Sequence, residues 1–525
     1  MESACLRHTD IPHTSRLFAD LQYCFDCVKN YYRYNPHDPE SYARAAAAVD
    51  YPDDRRAGLV AALRKRNGDN PLLDRLAKPG TVAVVTGQQV GLFSGPAYTI
   101  YKALTAMQLA DSLNERGIPA VPVFWLATED HDFAEIDHAF VFDARHKHIR
   151  LSAAENVPSQ APVGTVALTS PPLAELREAL AGMPFTEEVL GMVESAYKPG
   201  ETFGCAFQHL VQQILGQDRI LFVDPLDQAI RELAAPVMRK ALADAPALSE
   251  KLLERNKELQ SGGYHAQVHV EKQTSLVFLL EGKRRLTLKR GNGDYVTKER
   301  RFPVAELADL ADHLSPNALL RPVVQDFILP TVAYVGGPAE LAYIAQSQVI
   351  YDDLLGRMPV VLARASFTLL DARSNKLMQR YGLTLPSFFP GEDALRETIA
   401  GKLVPANLSQ DFERARGAID AQLDRLQAEV MAFDPTLKAA LDKSRGKVKY
   451  QLSKMERKTA RETLRRDQRA GEEAAYMANL VFPEKHLQER YYSILPFLAK
   501  HGPRLVDTLA EFVALDCPDH KVLVV

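Results

Sequence analysis

The stretch Thr81-Val-Ala-Val-Val-Thr86-Gly-Gln-Gln-Val-Gly91-Leu-Phe-Ser-Gly95-Pro96, continued by AYTIYKAL over 97–104, decides the fold. Residues 81 to 86 form a β-branched run without alternation, the pattern of a strand buried on both faces. A glycine-rich loop follows. Ile100, Leu104, Met107 and Leu109 then recur at helical spacing, and Gly117 stands where helices commonly end. A second apolar run, Ala120 to Leu126, predicts the next strand. Strand, loop, helix and strand in this order predict a right-handed crossover in a parallel sheet.

Further along, Arg219–Asp224, Thr331–Val335 and Val360–Ala363 predict more buried strands, with a helix starting near Pro338 between the last two. Gln267–Val270, Ser275–Leu280 and Arg284–Lys289 predict short antiparallel strands of an insertion. The expected layout is α/β: an N-terminal helical segment over 1–75 and a parallel-sheet core over 76–385 with a small mixed insertion near 138–320. Beyond it, Ile419, Leu423, Leu426, Val430 and Phe433, then Val448, Leu452, Met455 and Thr459, step by threes and fours as a heptad seam does. Asp434-Pro435 divides them, so an antiparallel helical hairpin is expected within 386–482, its second helix over about 443–478. A helical segment and a strand are expected over 483–525. The second helix is basic, with eleven Lys or Arg against three acids over 443–469, read as a solvated coiled-coil face.

Composition excludes several classes. The chain has 525 residues, 46% hydrophobic and 25% charged, the mix of a globular protein rather than a disordered or fibrous one. Its net charge of -4 gives no reason to expect a nucleic-acid partner, and no apolar run is long enough for a membrane span. The opening residues MESACLRHTDIPHTSRLF lack an apolar signal region, so a cytoplasmic location is expected. Five cysteines, sparse and odd in number, fit a reducing compartment. Cys24 and Cys27 are read as buried small residues on one helix face; without a second ligand pair they predict no zinc site.

Three loops carry chemistry. In the first, Gly87, Gly91 and Gly95 let backbone N–H groups approach an anion, and Gln88, Gln89, Tyr98 and Lys102 add polar contacts. In the second, Glu129-Asp130-His131-Asp132 lies just past the second strand. Three carboxylates and an imidazole so close together point to proton transfer, with His131 as base or acid and Asp130 or Asp132 orienting it. The alternative is a charged helix start. No histidine spacing supports a defined zinc site, so zinc is not expected. In the third, Arg321 offers a fork for a carboxylate or phosphate, or an ion pair with Asp326. Gly336, Gly337 and Glu340 again open a helix after a strand.

TGQQVGLFSGPAYTIYKA, VFWLATEDHDFAEI and RPVVQDFILPTVAYVGGPAELAY, in this order, closely resemble the bacillithiol biosynthesis cysteine-adding enzymes, the cysteine ligases of bacterial thiol metabolism. The likeness extends over essentially the whole chain, including Leu487-Gln-Glu-Arg490. The resemblance implies a Rossmann-like core, connecting insertions and a coiled coil that supports a homodimer. It implies that cysteine is joined to the amine of glucosaminyl malate, with ATP as co-substrate to activate the carboxylate. His131 would then take the amine proton, and Arg321 and Lys102 would hold the malate carboxylates. The other reading is a non-catalytic nucleotide- or thiol-binding dimer that assists another enzyme.

Overall fold

The structure is a computed structural model that describes residues 3–155, 157–291 and 293–525. Five strands form the central sheet: β1 (Val82–Gln88), β2 (Ala120–Leu126), β3 (Leu221–Val223), β4 (Thr331–Gly336) and β5 (Val360–Ala363). They lie in the order β5-β4-β1-β2-β3, and every neighbouring pair is parallel. This is the Rossmann-like order. Chain direction across the sheet reverses between β1 and β4, where an open sheet leaves a crevice at the carboxyl ends of its strands.

The apolar run that predicted β1 is buried as such a run must be: Val82 is 3% exposed and Ala83, Val84 and Val85 are fully enclosed. Alternate residues serve opposite faces. Ala83, Val85, Val121 and Val123 pack with Leu59, Leu63 and Leu73 of the N-terminal helices. Val82, Val84 and Ala120 pack with Leu109, Ala110 and Leu113 of α1 (Tyr98–Glu115). Two further helices reach the crevice, α2 (Arg321–Ile328) and α3 (Pro338–Leu354).

The connecting segments are two, because β3 returns to the sheet between them. The first opens with an antiparallel hairpin, His138–Phe142 against His148–Ser152, and continues as helices to Leu215. The second holds helices up to Ser261 and a sheet in which Val277–Glu281 pairs with both Arg284–Thr287 and Leu314–Pro316. The strand expected at Gln267–Val270 does not form. The side chain of Gln346 takes the place of a neighbouring strand, accepting from the Val268 N–H at 2.8 Å and donating to its carbonyl at 2.9 Å.

The helical hairpin is α4 (Ala406–Phe433) and α5 (Lys438–Arg466), joined through a turn capped by Asp434. The second helix is not continuous over 443–478. It starts earlier and breaks at Asp467, whose side chain caps a separate α6 (Gln468–Val481). The heptad residues are not enclosed within the hairpin: α4 buries none of its residues, and Leu426, Val448 and Met455 are 46%, 41% and 55% exposed. Among the described residues no helix is long and apolar enough to cross a membrane.

Cys24 and Cys27 do not share a buried helix face. Cys24 sits at the break between helices Arg16–Tyr23 and Phe25–Val28, Cys27 is exposed, and a disulfide joins them. The C-terminal strand, His520–Val524, lies between Ser3–Leu6 and Phe367–Leu370 in a separate sheet. Gln488 and Glu489 fasten this region: Gln488 bonds both the N–H and the carbonyl of Leu369, and Glu489 accepts from Arg364 at 2.7 Å and from the Phe367 N–H at 2.9 Å.

Candidate active site

The carboxyl ends of β1 and β4 are tied together by one buried ion pair. Lys102, one turn into α1, donates back to the Gly87 carbonyl at 2.9 Å and to Gln88 Oε1 at 2.8 Å, and pairs with Glu340. Glu340 stands in the first turn of α3, where its carboxylate also accepts from the Gly337 N–H and the Tyr334 hydroxyl. Burial lowers the proton affinity of Lys102. Burial alone would raise that of Glu340, but Lys102 and the Gly337 N–H hold its carboxyl below the ordinary range. Gly95 adopts φ +65°, and a Cβ on Gly91 would come within 3.1 Å of its Cα. Both glycines therefore shape the loop rather than meet the cavity.

At the end of β2 the acids are sorted by burial. Glu129 is 7% exposed and accepts from Ser315. Burial pushes its carboxyl up, against the pull of Arg285 and Ser315. Asp130 accepts from Gln89 Nε2 at 2.8 Å and from the His131 N–H at 2.7 Å. The same Gln89 amide donates to Glu135 at 2.5 Å. His131 Nδ1 lies 3.3 Å from Arg285 Nη1, and Asp132 is exposed. The segment is a loop with a short turn at Phe133–Glu135, not the start of a regular helix.

Arg321 opens α2 and donates to the Tyr343 hydroxyl and to Gln325. Among the described residues no carboxylate lies within 4.0 Å of it. Asp326 is not its partner; it accepts from Tyr351 at 2.5 Å and from Gln325 at 3.0 Å.

These ends enclose a cavity of about 690 Å³ at the switch point. Gly87, Gln88, Gln89, Tyr98, Lys102, Glu129, Asp130, Arg321, Gly337 and Glu340 all line it. Gly91, Gly95, His131, Asp132 and Gly336 are not on its walls. Arg285, Arg364 and Arg490 are wall residues that the sequence reading did not single out. Arg364 directly follows β5, so the rule that flagged the other strand ends points to it as well. Arg285 comes from the antiparallel insertion and had no comparable signal.

The walls carry both charges: Arg285 stands among the acids, and Glu340, paired with Lys102, stands near the other guanidinium groups. Glu129, Asp130 and Glu135 stand on the β2 side; Arg321, Arg364 and Arg490 stand on the β4 and β5 side. Arg364 is neutralised by buried Glu489, whereas Arg490 is exposed and has no bonded carboxylate among the described residues. The arrangement can hold a cationic or amine-bearing group at one end and carboxylates or phosphates at the other.

Comparison with known proteins fits this layout. The Bacillithiol biosynthesis BshC N-terminal Rossmann-like domain matches residues 1–365, and the BshC C-terminal coiled-coil domain matches residues 367–525. A protein of Solibacter usitatus named "Putative cysteine ligase BshC" is 54% identical over 525 residues, covering 100% of both chains. Proteins of the same name from Koribacter versatilis and Salinibacter ruber are 35% and 33% identical, covering 99% and 98% of each chain. The chain belongs to the BshC family of bacillithiol biosynthesis.

Proposed function

We propose that this chain is a cytoplasmic, ATP-dependent ligase that joins the carboxyl carbon of cysteine to the amine of glucosaminyl malate, forming an amide. The charged groups on the cavity walls carry the reading: Glu129, Asp130 and Glu135 suit an amine, and Arg321 and Arg490, with no carboxylate partner among the described residues, suit carboxylates or phosphates. A free carboxylate does not form an amide unaided. ATP supplies the activation, as an adenylate or an acyl phosphate, and the amine then displaces the phosphate group from the carbonyl carbon. The ammonium of glucosaminyl malate must first lose a proton. Glu129, with its proton affinity raised by burial and its carboxyl on the cavity wall, is suited to take it. Arg321 and Arg490 are suited to the malate carboxylates.

We propose also that the exposed seam of α4 and α5 pairs with a second copy of the chain. The purified protein, given ATP, cysteine and glucosaminyl malate, is expected to yield the amide by mass spectrometry with ATP consumed. Binding of nucleotide and thiol without product would favour the accessory-protein reading instead.

A further inference from the structure

Arg285 is 8% exposed, lines the cavity and is held on every side. Its Nε donates to Ser315 Oγ at 3.0 Å, its Nη2 to the Pro316 carbonyl at 2.8 Å, and its Nη1 to His131 Nδ1 at 3.3 Å. Its guanidinium carbon lies 3.9 Å from the centre of the Phe278 ring. A guanidinium donates and never accepts. A hydrogen bond from Arg285 requires the facing Nδ1 of His131 to be unprotonated, which places the ring hydrogen on Nε2; Asp130 Oδ1 lies farther from the same nitrogen, at 3.7 Å. The lone pair a general base would need is already engaged, and His131 is not on the cavity wall.

The guanidinium, by contrast, has capacity left. Each Nη carries two hydrogens and makes one of the bonds above, so one hydrogen on each remains available. Asp130 lies 3.9 Å from Nη1 and Glu129 is close enough to pull on the charge of Arg285, so the cation is balanced without a direct carboxylate clamp. Ser315 joins the two functions: it accepts from Arg285 and donates to Glu129.

We propose that Arg285 binds an oxyanion of the substrate in the cavity and that His131 is a positioning residue which orients Arg285 through Nδ1. The identity of the oxyanion rests on the ligase reading: it is the cysteine carboxylate or its phosphate-activated form. A guanidinium fixed before substrate arrives stabilises developing charge without reorganising.

The test has an arm that needs no turnover. Nitrogen-15 spectra of the histidine rings are expected to show His131 protonated on Nε2 and bare on Nδ1, with the signal changed in Arg285→Lys. Inorganic pyrophosphate, measured by calorimetry, is expected to bind about 10-fold more weakly to Arg285→Lys, because an ammonium cannot reproduce the fork. In the ligase assay, His131→Ala is expected to lose about 10- to 100-fold in kcat, the usual scale for a lost bond to a charged group. His131→Asn, whose side-chain oxygen can accept near the place of Nδ1, is expected to recover most of that loss. A protonated Nδ1, unchanged pyrophosphate affinity in Arg285→Lys, or an Asn variant as impaired as the Ala variant would each overturn the proposal. A wild-type protein that makes no amide would defeat the ligase reading, while the ring spectra and pyrophosphate binding would still decide this one.

Discussion

Glu129 holds its proton to higher pH than an ordinary glutamate, because burial behind Ser315 penalises its charged form. As a base it acts only when deprotonated. The rate of amide formation should therefore rise with pH through a limb above the ordinary glutamate value of about 4.3. Glu129→Gln should abolish that limb and lower kcat by about 10²- to 10⁴-fold, which a pH profile of the purified enzyme would show. Arg321 calls for a different signature. A guanidinium that meets the malate carboxylates already in the ground state contributes to binding, so Arg321→Ala should raise KM for glucosaminyl malate more than it lowers kcat. If kcat alone fell, Arg321 would belong to the chemical step. Lys102 and Glu340 form the pair whose loss should be felt as instability. Glu340→Ala leaves a buried ammonium without its carboxylate, a change that typically costs about 3–5 kcal/mol, and should lower the thermal midpoint sharply.

At the level of elements, Asp371 joins three parts of the fold. It caps the helix Ala372–Tyr381 and accepts from Tyr476 at 2.7 Å, while Lys500 and the buried ring of His146 lie against it. Burial alone would raise its proton affinity, but His146, Lys500 and the Ser374 N–H hold the carboxyl far below the usual range. Stability from a depressed carboxylate is present above its unfolded value, about 3.9, and is lost as pH falls toward the folded one. The thermal midpoint should drop between about pH 5 and pH 3, and Asp371→Asn should be less stable at neutral pH with a shallower drop. An identical slope in the variant would place the acid sensitivity elsewhere.

The same scale shows what the sequence could reveal. β1, β2 and β4 were legible because uniform apolar runs of strand length have few other structural uses, and β1 and β4 also run into glycine loops. The strand-end rule then located Lys102, Glu129 and Arg321 near one crevice. Arg285 was illegible, since its place on the wall depends on how an antiparallel insertion folds back over the sheet edge. The surroundings of His131 were illegible for a related reason: its spacing beside three carboxylates suggests catalysis, and the contact of its ring with Arg285 comes from that same distant strand. The break at Asp467 also left little trace, because a single capping aspartate, without Gly or Pro, ends one helix and starts another.

For the molecule as a whole, α4 and α5 present an apolar seam that one chain does not cover, with Phe433 at the tip 87% exposed. Light scattering is expected to give twice the chain mass of 58.4 kDa at micromolar concentration. Replacing Leu426 and Met455 together by Glu should give a monomer with little loss of thermal stability, since neither residue is enclosed within its own hairpin. A wild-type monomer would end the dimer reading. Arg490 and Glu489 also lie on the far side of this hairpin in the chain, although Arg490 lines the cavity begun at Gly87 and Glu489 holds its Arg364. That order has a consequence for synthesis. When the ribosome has released the parallel sheet, Arg364 has no Glu489 to meet and the cavity lacks its Arg490 side. Arg490 comes 127 residues after Ala363, the end of the sheet, so the growing chain should gain its full cavity wall only once that stretch has been made.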